Sequence, residues 1–486
     1  MSDDSIWRTI AADARERGLE RLWDRLCAGY LPNESKNSIW KYRKAENEDL
    51  PDCGWKLHVS ATILNAPRLL QRVGPLLVES GVQFKAARSL LEVSRLNSGL
   101  LHTYSQVGKV ITVYPRNDEE AVYLAERLHK LTLRFRSPSV PFDLRFAENS
   151  NVYYRYGAFK TFELELADGT RAFVMPSPGG ELVPDIRENP RPDWVVDPFE
   201  RVNSNRRTRK RRKSNRNSFQ VIRAMVQRGK GGVYQAIDVE SNPPRLCLLK
   251  EGRKNGEMTW DGRDGVWRVR HEERVLASLL KHGIDVPKVY SSFELESNFY
   301  LVMEFVDGQS LHHLLLKQTR RLPINRVLSL GIQVADFLHQ MHRAGWAWRD
   351  CKPKNLIVTP RGKLVPIDFE GASPIRNPDP MLWGTPRFIP TKSFHRAARN
   401  GVTDDLYSLG SVLYLLITGR LLDSASPVAT EKLRPKLPPE LRDLVSSLLA
   451  DNPRKRPSAQ STKSRLTAIL LKRSPGRMPL ADVKAA

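Results

Sequence analysis

The stretch WAWRDCKPKNLIV, residues 346–358, indicates the fold of the C-terminal half of the chain. It contains Asp350, Lys352 and Asn355 in the order R-D-x-K-x-x-N and ends in an apolar run that is typical of a strand. Further along, VPIDFEGA places Asp368 after a second short apolar run. Carboxylates, a lysine and an amide in this order predict a site that handles a metal ion and a phosphate group.

These side chains meet the requirements of phosphoryl transfer from a nucleoside triphosphate. The γ-phosphoryl of ATP carries dense negative charge, so its transfer depends on positioning and on cations. Asp350 would orient the attacking hydroxyl and accept its proton, and Lys352 would neutralise the transferred phosphoryl. Asn355 and Asp368 would hold Mg²⁺ with hard oxygen ligands. The sequence does not distinguish ATP from GTP.

Residues upstream complete a nucleotide site. Lys250 ends the strand-like run LCLLK and would hold the α- and β-phosphates. A carboxylate on the next predicted helix would hold this lysine, either Glu272 or Glu273. The helical spacing of Leu276 and Leu279 favours Glu272. Backbone amides of three glycines would cover the phosphates: Gly229, Gly231 and Gly232.

Over about residues 218–470 the chain resembles the eukaryotic-type protein kinases. The motifs GGVYQA, GTPRFIP, DDLYSLG and NPRKRPS agree with that family in order and spacing, together with the residues above. The resemblance implies a bilobal fold with a hinge at YLVMEFVDG, where backbone groups of Glu304 and Val306 would meet adenine.

Three features depart from the kinase pattern. Trp348 replaces the histidine that usually precedes Arg349 and that is mainly structural in the family. Glu370 follows the Asp-Phe pair, and the glycine loop is one or more residues short of G-x-G-x-x-G. A pseudokinase that only binds is the alternative, but the presence of all the catalytic side chains favours an active enzyme.

The stretch WKLHVSAT, residues 55–62, introduces a second set of charged residues. Read as a strand, it places apolar side chains on one face and Lys56 and His58 on the other. Further cations lie on neighbouring predicted strands: Lys85, Lys109 and Arg155. Each one alone is typical of a solvated face, but together they predict a strand-built anion site. Phosphate is the natural ligand, because the C-terminal half makes phosphate esters.

A histidine and lysines beside a phosphoserine suggest elimination. A base removes the Cα proton, a cation stabilises the developing enolate and an acid protonates the leaving phosphate. The product is dehydroalanine from Ser or dehydrobutyrine from Thr. A lysine base must be uncharged. Neighbouring cations favour the uncharged amine, whereas the arriving phosphate dianion opposes it.

The runs WKLHVSAT, VQFK, KVITVYP and VYYRYGAF together resemble the N-terminal lyase domain of class III and IV lanthipeptide synthetases. The resemblance covers about residues 30–200. It implies that Lys56 stabilises the enolate, His58 is the acid and Lys85 is the base. By the same resemblance, two cations would hold phosphate: Lys109 and Arg155. The family usually has a third, C-terminal cyclase domain, for which this sequence leaves no room. Thioether formation would then fall to a separate cyclase protein, be spontaneous or be absent, unless the chain is part of a longer one.

The order of the patterns indicates an α+β protein with two structured regions. We expect a phosphoSer/Thr-lyase-like α+β domain over residues 1–205, a basic linker over 206–217, a bilobal kinase domain over 218–470 and a tail over 471–486. The linker contains RRTRKRRKSNR, a run of like charges that is typical of a solvated segment. Docking of an acidic peptide or of nucleic acid is its alternative role.

Composition limits the other functional classes. The 486 residues carry 78 Lys and Arg against 54 Asp and Glu, a formal charge of +24, which favours a polyanionic or phosphorylated partner without choosing one. The four cysteines form no CxxC pair, which argues against a disulfide framework and a cysteine-rich zinc site. Since the chain lacks the apolar runs of a signal peptide or a membrane span, we expect a cytoplasmic protein without membrane contact.

The sequence thus predicts a dehydratase for a ribosomal precursor peptide with a leader. It would phosphorylate Ser or Thr and then eliminate the phosphate. The main alternative is a signalling Ser/Thr kinase with an N-terminal regulatory domain. A nucleic-acid-binding protein that uses the basic run is a third, less favoured hypothesis.

Overall fold

The computed structural model describes residues 14–473, apart from 35, 37, 46–49, 161, 166–167, 201–217, 319, 382, 391–400, 424–431 and 433. Within this part, residues 14–200 and 218–473 form two α+β units. A large apolar core lies in each unit. The basic run at 206–216 lies outside the described residues, as does the end of the expected tail.

Helices of the first unit pack on one face of a sheet. They are α1 (Ala14–Tyr30), α2 (Ala66–Glu79), α3 (Leu90–Ser98) and α4 (Asp118–Thr132). Helix α4 begins where the Asn117 side chain accepts a hydrogen bond from the Glu120 amide, and its first turn is acidic, which suits the helix dipole. Helix α3 ends at Gly99, whose φ of 65° is left-handed and favours glycine.

The first sheet has seven antiparallel strands in the order β1-β2-β4-β5-β3-β7-β6. Its strands are β1 (Asn33–Glu34), β2 (Trp40–Arg43), β3 (Cys53–Val59), β4 (Gln83–Ala87), β5 (Ile111–Tyr114), β6 (Leu144–Arg145) and β7 (Val152–Ala158). A smaller sheet follows, with β8 (Phe162–Glu165), β9 (Arg171–Pro176) and β10 (Leu182–Pro184). Helices cover only one face of the seven-stranded antiparallel sheet, so its other face remains available for a cleft.

The two faces of the first sheet differ as strand alternation requires. Trp55, Leu57 and Val59 of β3 are buried in the apolar core beneath the helices. Lys56 and His58 of the same strand point to the opposite face, where they line a cleft. The pairing register extends this face across the sheet, since His58 lies opposite Thr112 and Tyr153, Lys56 opposite Arg155 and Lys85 opposite Thr112.

The second unit opens with a five-stranded antiparallel sheet in the order β11-β12-β13-β15-β14. The strands are β11 (Phe219–Arg228), β12 (Gly231–Asp238), β13 (Arg245–Gly252), β14 (Val289–Leu295) and β15 (Asn298–Glu304). Helix α5 (Gly265–Lys281) packs against β13 and β15 and is capped by the Asp264 side chain, which accepts a hydrogen bond from the Trp267 amide.

The rest of the second unit is mainly helical. Its helices are α6 (Leu311–Leu316), α7 (Ile324–Arg343), α8 (Val402–Thr418), α9 (Pro439–Leu448) and α10 (Ala459–Arg473). Five short strands lie around the loop that contains Asp350 and Asn355. β16 (Gln309–Ser310) precedes α6, and the others lie between α7 and α8: β17 (Trp346–Ala347), β18 (Leu356–Val358), β19 (Leu364–Pro366) and β20 (Ser373–Pro374). The bilobal arrangement of the second unit and the α+β class of both units confirm the predicted fold class. Among the described residues, no helix combines the length and the apolar character that crossing a membrane requires.

Candidate active sites

A cleft of about 480 Å³ lies on the open face of the first sheet. It brings together the five side chains that the sequence predicted there: Lys56, His58, Lys85, Lys109 and Arg155. Four of them project from strands, whereas Lys109 lies two positions before β5 and not on the strand that was expected. The convergence of these side chains gives the cleft a basic lining that suits an anion.

Lys56 and Arg155 lie side by side on paired strands, and both face the cleft. The buried Arg155 guanidinium donates to the Asp185 carboxylate, which fixes its orientation. Burial and repulsion from Arg155 lower the pKa of Lys56 to about 7. Lys56 therefore has access to an uncharged form near neutral pH.

His58 is held by a carboxylate at the back of the cleft. Its Nδ1 lies 2.5 Å from Asp143 Oδ2, and Lys109 Nζ donates to Asp143 Oδ1 at 2.8 Å. Burial and the Lys109 ammonium lower the pKa of His58, against the opposing effect of Asp143. Burial alone would raise the pKa of Asp143, but His58 and Lys109 outweigh it and lower the pKa to about 2. Asp143 thus stays ionised and sets which imidazole nitrogen faces the cleft.

Lys85 occupies the opposite side of the cleft, among aromatic rings. Its Nζ lies 4.6 Å from the centroid of the Trp40 ring and 5.6 Å from that of Tyr114. The Lys56 ammonium lies 5.8 Å from the same Tyr114 ring. Both lysines therefore approach the Tyr114 ring and line the same cleft.

The second unit holds its own polar site between its two lobes. Lys250 Nζ lies 2.5 Å from Glu272 Oε2 and 2.8 Å from Asp368 Oδ1. The helix thus presents Glu272, and not Glu273, to this lysine. Burial alone would lower the pKa of Lys250, but the carboxylates of Asp368, Glu272 and Glu370 outweigh it and raise the pKa above its usual range.

The catalytic loop is organised around the Asp350 carboxylate. It accepts hydrogen bonds from Asn355 Nδ2 and Thr385 Oγ1, each at 2.9 Å, and it pairs with Lys352 Nζ at 2.9 Å. Asp405 fixes the start of this loop, because its carboxylate accepts hydrogen bonds from the amides of Trp348 and Arg349 at 2.8 and 2.7 Å. Burial raises the pKa of Asp350, partly offset by Lys352, which suits the proton-accepting role predicted for it.

Two family models match the two units. The RamC N-terminal domain matches residues 26–211, and the protein kinase domain matches residues 227–465. The chain joins a RamC-type domain to a protein kinase domain. This pairing confirms the resemblance to the lyase and kinase portions of class III and IV lanthipeptide synthetases.

Two kinds of curated relative share parts of this chain. The probable SapB synthase of Streptomyces coelicolor is 29% identical over 81% of the chain, and the match spans 43% of that relative. The Ser/Thr-protein kinase PknA of Mycobacterium tuberculosis (strain H37Rv) is 30% identical over 48% of the chain and 57% of its own length. The chain therefore spans about half the length of the curated relatives it matches.

Within the kinase domain, Trp348 occupies the position of the usual histidine and makes structural contacts in the core. Its fully buried ring contacts those of Phe337 and Phe369, with centroid distances of 5.3 and 5.7 Å, and its Nε1–H donates to the carbonyl of Asp368 at 3.0 Å. Trp348 thereby supports Asp368, the predicted metal ligand, in a left-handed conformation with a φ of 67°.

The glycine loop of the kinase domain differs from the expectation that three glycine amides cover the phosphates. Arg228 pairs with Gly231, so Gly229 and Lys230 form a two-residue hairpin turn, and Gly231 and Gly232 belong to β12. The Gly229 amide donates to the carbonyl of Ser98 in the RamC-type domain and is therefore not directed at a nucleotide. Gly231 and Gly232 line the small cavity beside Lys250.

The Glu370 carboxylate of the D-F-E-G sequence closes the same cavity. It pairs with Lys230 from the hairpin turn and lies 3.9 Å from Lys250 Nζ. The side chain is almost fully buried, and its Oε2 has no hydrogen-bond donor among the described residues. A glutamate at this position thus connects the hairpin turn to Lys250.

The residues present fit a nucleotide with a divalent cation. Asp368 offers a carboxylate, and Asn355 donates through its amide nitrogen to Asp350, which leaves the amide oxygen as a hard ligand. Glu304 ends β15, where its backbone amide donates to the carbonyl of Lys288 at 2.8 Å, and Val306 lies two positions further on. No cluster of three His, Cys, Asp or Glu side chains with metal-ligand geometry occurs in the part of the chain that the structure describes.

Sequence reasoning missed three charged residues of the RamC-type cleft. Asp143, Asp185 and Arg187 follow or precede very short strands, so no local alternation indicates their direction. Arg187 lines the cleft, and burial and repulsion from Arg155 lower its pKa. The acidic residue within PFDLRF was the one local signal, since an aspartate between aromatic and aliphatic neighbours is unusual on a surface.

Proposed function

We propose that the chain is a two-step dehydratase that acts on Ser and Thr of a ribosomally made precursor peptide. The observation that carries this proposal is the union of His58, Asp143 and Lys109 with further cations in one cleft, on a chain that also carries a protein kinase domain. A phosphate-accepting cleft and a phosphate-donating site on one chain suit successive reactions on one side chain. Similarity to the probable SapB synthase over 81% of the chain supports it.

In the first step, the kinase domain transfers the γ-phosphoryl of ATP to the hydroxyl of a peptide Ser or Thr. Asp350 accepts the hydroxyl proton as the new O–P bond forms, and Lys352 lies 2.9 Å from Asp350, next to the transferred group. Lys250 holds the α- and β-phosphates, and ADP leaves. Asp368 and Asn355 would hold Mg²⁺, which would neutralise phosphate charge when bound.

In the second step, phosphate is eliminated from the phosphopeptide in the RamC-type cleft. Arg155 and Lys109 hold the phosphate, Lys85 removes the Cα proton and Lys56 stabilises the enolate while the Cβ–O bond breaks. His58 protonates the departing phosphate through its cleft-facing nitrogen. Arrival of the phosphate dianion raises the pKa of His58 and allows it to carry that proton. Since burial and Arg155 lower the pKa of Lys56 to about 7, exchange of the base and enolate roles between Lys56 and Lys85 is the second arrangement to test.

The partners follow from this chemistry. The precursor peptide with its leader is the substrate, and a separate cyclase protein would use the dehydroamino acids. The similarity of the kinase domain to PknA over 48% of the chain favours a second candidate, a signalling Ser/Thr kinase with a regulatory N-terminal domain. The two candidates differ in the fate of the phosphoryl group.

Mass spectrometry of a Ser-containing precursor peptide with ATP and Mg²⁺ separates them. The parent protein should remove one water per modified residue, whereas a signalling kinase stops at the phosphorylated peptide. His58→Ala and Lys85→Ala variants should accumulate phosphopeptide with elimination reduced by about a hundredfold or more. Asp350→Ala should lose phosphorylation but still eliminate phosphate from a presynthesised phosphopeptide. Unchanged dehydration by the His58→Ala variant would contradict the proposal.

A further inference from the structure

The kinase domain contacts the wall of the RamC-type cleft directly. The Gly229 amide donates to Ser98 O at 3.0 Å, and Arg228 Nη1 donates to Gly99 O at 3.2 Å. A Cβ on Gly229 would lie 1.7 Å from the carbonyl oxygen of Asn97, so only glycine permits this approach. The segment that follows Gly99 forms part of the cleft wall, with Leu101, His102, Thr103 and Gln106.

Arg253, just after β13, extends this contact to the ring of Tyr104, which lies between the cleft-lining residues Thr103 and Gln106. Its guanidinium carbon lies 4.9 Å from the centroid of the Tyr104 ring. The guanidinium is fixed on its own side, because Nη2 donates to Glu251 Oε2 at 2.9 Å and Nη1 donates to Arg228 O at 2.9 Å. An arginine held in this way offers a rigid planar surface for an aromatic ring.

Tyr104 in turn holds a residue with an unusual backbone conformation. The Tyr104 and Phe142 rings meet edge to face, with centroids 5.8 Å apart. Phe142 has a φ of 66°, which is left-handed and rare for a bulky side chain, and its side chain is 40% exposed. Burial in a core therefore does little to fix Phe142, and the ring contact with Tyr104 stabilises its strained backbone.

The residue after Phe142 is Asp143, whose carboxylate holds both His58 and Lys109. The left-handed backbone of Phe142 determines the direction in which the Asp143 side chain leaves the chain. A change of φ at Phe142 would move this fully buried carboxylate away from the imidazole. The series of contacts from Arg253 to Asp143 therefore joins the kinase domain to the acid of the second step.

We propose that Arg253 of the kinase domain is a positioning residue of the RamC-type cleft, which acts through Tyr104 and Phe142 to hold Asp143 against His58. The inference rests on the proposed elimination activity of this cleft. Arg253 touches neither phosphate nor peptide in this role. The kinase domain thus completes the lyase site structurally, in addition to supplying its phosphorylated substrate.

The test is phosphate release from a presynthesised phosphoserine peptide by the full chain without nucleotide. Arg253→Gln and Tyr104→Leu should each lower kcat about tenfold with KM nearly unchanged, because a displaced catalytic group slows the reaction without removing phosphate contacts. Tyr104→Phe keeps the ring and should retain the parent kcat. Both substitutions break the same contact between Arg253 and the Tyr104 ring. The Arg253→Gln/Tyr104→Leu double variant should therefore be no slower than either single variant.

Arg245→Gln is the matched control. Like Arg253, Arg245 stacks on a tyrosine: its guanidinium carbon lies 3.7 Å from the centroid of the Tyr290 ring. Tyr290 belongs to the kinase sheet and does not line the cleft. This control should eliminate at the parent rate. Parent-like kcat in Arg253→Gln, or losses that multiply in the double variant, would overturn the inference.

A second readout does not depend on elimination. The ring ¹⁵N shifts of His58, identified with a His58→Gln variant, should change in Arg253→Gln and Tyr104→Leu at fixed pH and stay unchanged in Arg245→Gln. If the parent releases no phosphate, the proposed elimination is wrong, and the His58 shifts still decide whether Arg253 positions Asp143. Unchanged shifts in Arg253→Gln would refute that positioning.

Discussion

Lys56 and His58 share one face of a strand, but different neighbours control their protonation. Burial and Arg155 bring Lys56 close to its uncharged form, with a pKa lowered to about 7. His58 is directed by Asp143, which fixes Nδ1 and leaves the other nitrogen for the cleft. Without a bound anion, the charged form of Lys56 is repelled by Arg155. A phosphate dianion would relieve that repulsion, so affinity for the phosphopeptide should come at a cost to stability.

A Lys56→Met variant should show this cost directly. The pKa of Lys56 is lowered from 10.5 to about 7 in the folded protein. Between those values the unfolded chain binds more protons, so the stability that depends on Lys56 rises with pH. At about pH 6 the folded protein bears the full cost of the cation, roughly 5 kcal/mol for this lowering of the pKa, so the variant should be more stable by several kcal/mol. The gain should shrink towards about pH 10, as urea unfolding at both pH values would show.

Lys44→Met is the control for this measurement. Lys44 is exposed just after β2 and lies outside the cleft. Its replacement should change stability little at either pH. Equal gains in the two variants would show that removal of any positive charge from this basic chain, rather than relief within the cleft, accounts for the effect.

Which cleft residues could be predicted from the sequence depends on how they are placed. Lys56, His58, Lys85 and Arg155 lie on strands, where alternation alone assigns a face, and the structure brings them together. Asp143 lies 85 positions from His58 and precedes a strand of two residues. Its direction follows from the left-handed backbone of Phe142, which no periodicity predicts.

The β11–β12 hairpin shows the same limit for an element of secondary structure. Its strands and the nearby glycines could be predicted, whereas the length of the turn depends on the pairing of Arg228 with Gly231. That register leaves Gly229 and Lys230 as the turn, which directs one residue to the RamC-type domain and the other to Glu370. The hairpin is therefore fixed by contacts from outside the local sequence.

Glu370→Gln should strengthen nucleotide binding by releasing this turn. The substitution keeps the shape of the side chain, removes a negative charge beside Lys250 and frees Lys230 to meet the phosphates. The Kd for a non-hydrolysable ATP analogue with Mg²⁺ should fall about fivefold, which corresponds to roughly 1 kcal/mol. Titration calorimetry measures it. Glu294→Gln, which breaks an exposed pair with Arg270 in the same lobe, should leave the Kd unchanged. Weaker binding in Glu370→Gln would indicate instead that Glu370 assists the cation.

At the scale of the whole molecule, the sequence predicted two units but not their contact. Each unit forms its own core from local patterns of apolar residues. The contact between them depends on single features, such as the close approach of Gly229 to Asn97 and the hydrogen bond from Asn255 Nδ2 to Ser137 O at 3.1 Å. Such features involve residues more than a hundred positions apart, so neither composition nor periodicity indicates them.

The fused arrangement predicts how the phosphorylated intermediate behaves. In the parent protein, a peptide phosphorylated at the kinase site meets the cleft of the same molecule at a high effective concentration, so little phosphopeptide should accumulate. A mixture of Asp350→Ala and His58→Ala variants keeps one working site on each chain, and phosphopeptide must then pass through solution. Dehydration should still occur, but with a lag that lengthens on dilution, which timed mass spectrometry at several enzyme concentrations would follow. The parent protein should show a lag that is independent of its concentration. An identical, concentration-dependent lag in both samples would mean that the chain releases phosphopeptide freely, and that joining the two domains serves stability or positioning and not transfer.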